Sequence, residues 1–133
     1  MAAYVVVRGR TRFARRVFQT VLLGIAIPIQ ATIVPVYYLI VQLGLYDTLA
    51  ALVLPSAAFA IPLTVLILVN FLRDVPEDLF ASMRVDGAGE WRILWSLALP
   101  LTRPALITVG VYDALQVWNG FLFPLVLTQS SEM

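Results

Sequence analysis

The chain has 133 residues, of which 61% are apolar and only 13% charged, against about a quarter charged in soluble domains. It contains no His, Cys or Lys, which excludes the usual zinc sites, a cysteine nucleophile, disulfides, a Schiff-base lysine and the lysine of a phosphate-binding loop. No metal site and no bound cofactor are expected, and any ATP must be used by another chain. The net charge of +1, with no cluster of Lys and aromatics, gives no nucleic-acid surface.

The basic start followed by an apolar run has the outline of a signal peptide. That run is about twice the length of a signal's apolar region, and no small-x-small site closes it, so it reads as a retained span. Thirty residues without a charge separate Arg16 from Asp47, and twenty-five more separate Asp47 from Arg73. A bilayer core of about 30 Å takes roughly 20 helical residues to cross. Span one is therefore expected within 17–46. At that length it must tilt, kink or end early; Pro28 and Pro35 offer kink points and Gly44 a stop. Span two, 48–72, carries Pro55 and Pro62, which serve either as packing irregularities or as a hinge.

A polar interval, 73–103, holds four arginines and five acidic residues. Span three follows over about 104–128. Its twelve Leu, Ile, Val and Phe residues contribute about −5 kcal/mol to insertion, against about +3 for the central Asp113. That balance is narrow, so span three is expected to lean on neighbouring helices with its polar side inward. Five arginines (Arg8, Arg10, Arg12, Arg15, Arg16) precede span one, and Arg73, Arg84, Arg92 and Arg103 lie between spans two and three. The other two loops have none. The positive-inside rule then places the N-terminus and the 73–103 loop in the cytoplasm of a multi-pass membrane protein.

The 73–103 loop is longer than a connection requires and reads as two short helices. Pro76 suits a first helical position, Glu77 and Asp78 complement the helix dipole, and Asp86-Gly87 ends the helix. Leu79, Phe80 and Met83 share one face. That face either docks a partner, lies on the membrane, or packs on the chain's own bundle. A second helix is expected from Glu90 to Leu99, stopping at Pro100.

These residues carry a resemblance. Importer-type ABC permeases have a cytoplasmic signature: Glu-Ala-Ala, three residues, Gly, nine residues, a branched apolar residue, one residue, Leu-Pro. Here Ala81-Ser82-Met83, Gly87, Leu97 and Leu99-Pro100 meet that spacing, though not the Glu-Ala-Ala triplet itself. Pro76-Glu77-Asp78-Leu79, Val85-Asp86-Gly87-Ala88, Glu90-Trp91-Arg92-Ile93, Arg103-Pro104-Ala105-Leu106, Ile27-Pro28 with Gln30, and Trp118 through Leu125 resemble the carbohydrate-uptake, maltose-type branch. Together they cover nearly the whole chain. The resemblance implies an all-α transmembrane bundle in the bacterial plasma membrane. It also implies a coupling loop, with Leu79, Phe80, Ala81, Ser82, Met83 and Arg84 as the surface that docks in a cleft of a cytoplasmic ATPase subunit, Asp86 and Gly87 at the turn behind it, and Leu97, Leu99 and Pro100 further along. The implied partners are ATPase subunits that use the ATP, a second permease subunit, an extracytoplasmic solute-binding protein and the bilayer. Ala81 in place of the family's usual Glu removes a charge from the docking surface. Such permeases have six spans and this chain shows three, so it is expected to be an incomplete permease, lacking about two spans before and one after.

In span three, Tyr112, Asp113, Gln116 and Asn119 lie on one side of the helix, with Trp118 nearby. Sugars are held by hydrogen bonds and aromatic stacking, so these residues are candidates for a substrate path, with interhelical hydrogen bonding as the alternative. Other readings are a permease for a non-sugar solute, a non-transporting assembly subunit or inactive fragment, and an intramembrane aspartyl protease using Asp47 and Asp113. The last lacks the Gly-x-Gly that should precede the second aspartate.

Overall fold

A computed structural model describes residues 2–9 and 11–129. All regular structure among them is helical: α1 (Ala2–Arg8), α2 (Arg12–Leu23), α3 (Ile29–Gln42), α4 (Leu49–Arg73), α5 (Glu77–Val85), α6 (Glu90–Ile93), α7 (Leu99–Trp118) and α8 (Leu122–Leu127). A π turn, Leu94–Ala98, joins α6 to α7, making one helix of 29 residues from Glu90 to Trp118. That helix and α4 are long and apolar enough to cross a membrane.

The 17–46 stretch is not one helix. Thr11 caps α2, its side-chain oxygen accepting from the Ala14 N–H at 3.1 Å. After a 3₁₀ turn at Gly24–Ala26 the chain bends by 102° into α3. Pro28 causes the break: its ring disfavours helical geometry at the residue before it, and Ile27 is extended at φ −85°, ψ 113°. Gly24 seats the bend on α4, where an added Cβ would stand 2.9 Å from Pro62 Cγ. α3 passes through Pro35 and stops at Gly44, whose φ of +68° suits glycine. Leu45 N–H reaches Ile40 O and Gly44 N–H reaches Val41 O, both at 3.0 Å, which satisfies the last carbonyls.

Pro100 does not end its helix, contrary to the expectation from sequence. A proline inside a helix clashes with the carbonyl four residues back and lacks an N–H. Here the preceding turn widens, Leu99 N–H bonding Leu94 O, and the helix continues. Thr102 Oγ1 donates to Ala98 O at 2.8 Å in the same turn. The helix ends instead at Trp118, where Asn119 Nδ2 bonds back to Leu115 O at 2.8 Å, and α8 follows as a separate short helix.

Two apolar clusters hold the bundle. One gathers Ala3 and Tyr4 of α1, Val65, Val69 and Leu72 of α4, Phe80 of α5, and Ile93, Leu94 and Ala98. The other joins Ile40, Ala51, Phe123 and Leu127, so that α3, α4 and α8 meet at the opposite end of α4. Between them Thr64 Oγ1 of α4 donates to Asp113 Oδ2 of α7 at 3.0 Å. Large apolar side chains on the long helices, including Val53, Leu54, Ile61, Ile107, Val111 and Leu115, remain exposed on the outside of the bundle, as lipid-facing residues would be.

Candidate functional site

The two-helix loop is assembled by local rules first. Glu77 and Asp78 sit in the first turn of α5 and Arg84 in its last, each sign matching the helix dipole. Gly87, at φ +77°, closes α5 with Ala88 N–H on Met83 O at 2.9 Å and Gly87 N–H on Arg84 O at 3.0 Å.

Tertiary packing then decides which way α5 faces. Phe80 is wholly buried in the first cluster, and Met83 packs partly against it. The Leu-Phe-Met face is therefore turned into the chain's own bundle, with only Leu79 substantially exposed. Phe80 cannot serve as a docking side chain in this arrangement, because its ring fills the space between α1, α4 and α6. The Arg8 guanidinium stacks over that ring, 3.3 Å from its centroid, and stands 3.9 Å from Glu77. The opposite face of α5 is exposed: Asp78, Ala81, Ser82 and Val85, at helical steps of three, one and three. Asp86 is exposed beside it, while Leu97, Leu99 and Pro100 are half-buried along the long helix.

A polar cluster that sequence reasoning missed ties the loop to α1. Tyr4 Oη donates to Glu90 Oε2 at 2.6 Å, and Arg84 Nε and Nη2 donate to Glu90 Oε1 at 2.9 and 2.8 Å. Burial of Tyr4, and then its bond to the Glu90 carboxylate, push its hydroxyl up to about 12, so it remains a proton donor throughout the physiological range. Tyr4 and Glu90 lie 86 residues apart, and no periodicity or motif spacing links them.

The span-three stripe divides. Asp113 is half-buried and turned to Thr64 on α4. Tyr112 and Gln116 are exposed and paired, Gln116 Nε2 donating to Tyr112 Oη at 2.7 Å. Asn119 caps the helix end and Trp118 is 87% exposed. Asp47 lies elsewhere, at φ +57°, its Oδ1 accepting from the Gln129 N–H at 2.8 Å. The aspartates that a protease would pair are thus engaged with different partners.

Long apolar helices joined through a polar, two-helix knob define a polytopic helical membrane protein. The chain belongs to the family of binding-protein-dependent transport system inner membrane components, which matches residues 1–133. It is 39% identical over 130 residues to a putative ABC transporter permease protein of Caldicellulosiruptor sp., covering 98% of this chain and 47% of that one. A diacetylchitobiose uptake system permease of Streptomyces coelicolor is 34% identical, over 99% of this chain and 44% of the relative. A melibiose/raffinose/stachyose import permease of Bacillus subtilis is 29% identical, over 100% and 49%. The chain spans about half the length of these curated relatives.

Proposed function

We propose that this chain forms part of the translocation path in the permease of an ATP-driven importer for a sugar or related solute. Its 76–100 loop receives the movement of a separate ATPase subunit that uses the ATP. A second permease subunit and an extracytoplasmic solute-binding protein complete the assembly, and the N-terminus and the 76–100 loop lie in the cytoplasm. The relatives named for oligosaccharide uptake support the solute class. The arginine distribution supports the orientation.

The observation that carries the coupling role is the setting of α5. One apolar cluster joins it to the end of α4 and to the start of the Glu90–Trp118 helix. A close-packed cluster transmits displacement rather than absorbing it, so a push on α5 moves both long helices. The surface for that push is the exposed face, Asp78, Ala81, Ser82 and Val85, rather than Phe80. Bulky or charged changes there, Ala81→Arg and Ser82→Trp, are expected to reduce co-purification of the ATPase at least tenfold while membrane insertion persists. Undiminished co-purification would reject the coupling role.

A further inference from the structure

We infer that Tyr4, Glu90 and Arg84 form a clasp that makes α1 a second receiver of the coupling loop's movement. The inference rests on the coupling role proposed above and names positioning residues for it. α5 is joined through the chain itself only to α4 before it and to the long helix after it. α1 is separated from both in sequence, so α5 reaches α1 only across space.

Three observations place the grip there. The Tyr4 ring is 7% exposed within the first cluster, which fixes where its hydroxyl points. That hydroxyl meets a carboxylate at 2.6 Å, in the range of a strong charge-assisted bond. The same carboxylate takes two N–H groups of Arg84, on the last turn of α5, so one side chain joins α1, α5 and α6. One turn further along α1, Arg8 holds the Phe80 ring and approaches Glu77 at the start of α5. α1 therefore meets α5 directly at Glu77 and Phe80, and reaches its last turn through Glu90. Arg84 and Glu90 are about half exposed, at 47% and 56%, so the grip sits at the surface, where strain from a bound partner would load it. Loading α5 pulls through Arg84 and Glu90 on Tyr4, and through α1 on the α2–α3 bend that follows it.

The assembled transporter with its ATPase and binding protein tests this, using Tyr4→Phe, Glu90→Gln and the double variant. Each keeps the side-chain volume, so the complex should still assemble, and the readout is taken per assembled complex. Solute moved per ATP hydrolysed should fall about threefold to tenfold in each single variant. The double variant should be no worse than Glu90→Gln alone, because that change already weakens the Tyr4 bond together with the Arg84 pair. Unchanged coupling in Tyr4→Phe, a loss that only follows the amount of assembled complex, or additive losses would overturn the clasp. Failure of the wild-type chain to capture an ATPase would instead overturn the coupling role, and the clasp with it.

Discussion

Phe80 separates a side chain that builds the coupling loop from one that meets a partner. It has no exposed surface, and its ring carries the Arg8 guanidinium at 3.3 Å. Truncating a core Phe to Ala costs about 3–5 kcal/mol, and the cation–π contact with the largely buried Arg8 side chain, 10% exposed, is worth about 1–2 kcal/mol more. Phe80→Ala should therefore destabilise the purified protein by about 4–7 kcal/mol, a large share of the roughly 5–15 kcal/mol typical of a folded domain. Phe80→Leu keeps most of the apolar volume and loses the ring, so about 1–2 kcal/mol is expected. Ser82→Ala, on the exposed face, should stay within about 0.5 kcal/mol of wild type. Unfolding in detergent, followed by tryptophan fluorescence, ranks the three. If Phe80→Ala unfolded together with Ser82→Ala, the inward orientation of α5 would be wrong and Phe80 would return to the docking face.

The topology is open to thiol labelling because the chain has no cysteine of its own. A membrane-impermeant reagent should reach Leu49→Cys from outside and Ser82→Cys only after lysis; the reverse pattern would invert the orientation. Gly24→Ala should destabilise the protein by about 1–3 kcal/mol, since its Cβ meets Pro62 Cγ at 2.9 Å. Gly110→Ala, with nothing within 4 Å, should be neutral or stabilising by up to about 1 kcal/mol, and equal thermal shifts for the pair would refute the seating of the bend. A folded-state value near 12 for Tyr4 means that its contribution is full below its ordinary value of 10.0 and fades as pH rises from there towards 12. Ultraviolet phenolate titration of wild type against Tyr4→Phe should therefore show one late-titrating tyrosine missing, and an ordinary titration at that position would contradict both the burial of Tyr4 and its Glu90 bond. In the assembled transporter, Gln116→Ala should lower uptake with stability nearly unchanged, whereas lost thermal stability with uptake per folded molecule intact would assign it to packing; Asn119→Ala should lower uptake and also loosen the end of α7, where its side chain holds Leu115 O.

The features legible along the chain are those that local chemistry governs. Charge-free stretches of 30 and 25 residues marked the apolar segments, because desolvating charges in lipid is costly whatever the fold. Gly44 and Gly87 stop their helices where expected, because a left-handed cap depends on the residue itself and on carbonyls three or four positions back. The prolines show where local rules run out. Pro28 breaks the chain by 102° while Pro35, Pro55, Pro62, Pro100 and Pro104 stay inside helices, and the outcome at Pro100 turned on a π turn five residues long just before it. The amphipathic pattern of α5 identified a buried face but not what buries it, since an apolar stripe fits a partner, a membrane or its own bundle equally well. Packing turns that face to the bundle, where residues of α1, α4 and α6 surround Phe80. The Tyr4–Glu90 bond is of the same kind: two polar residues 86 positions apart, matched solely because packing delivers α1 to the mouth of the loop.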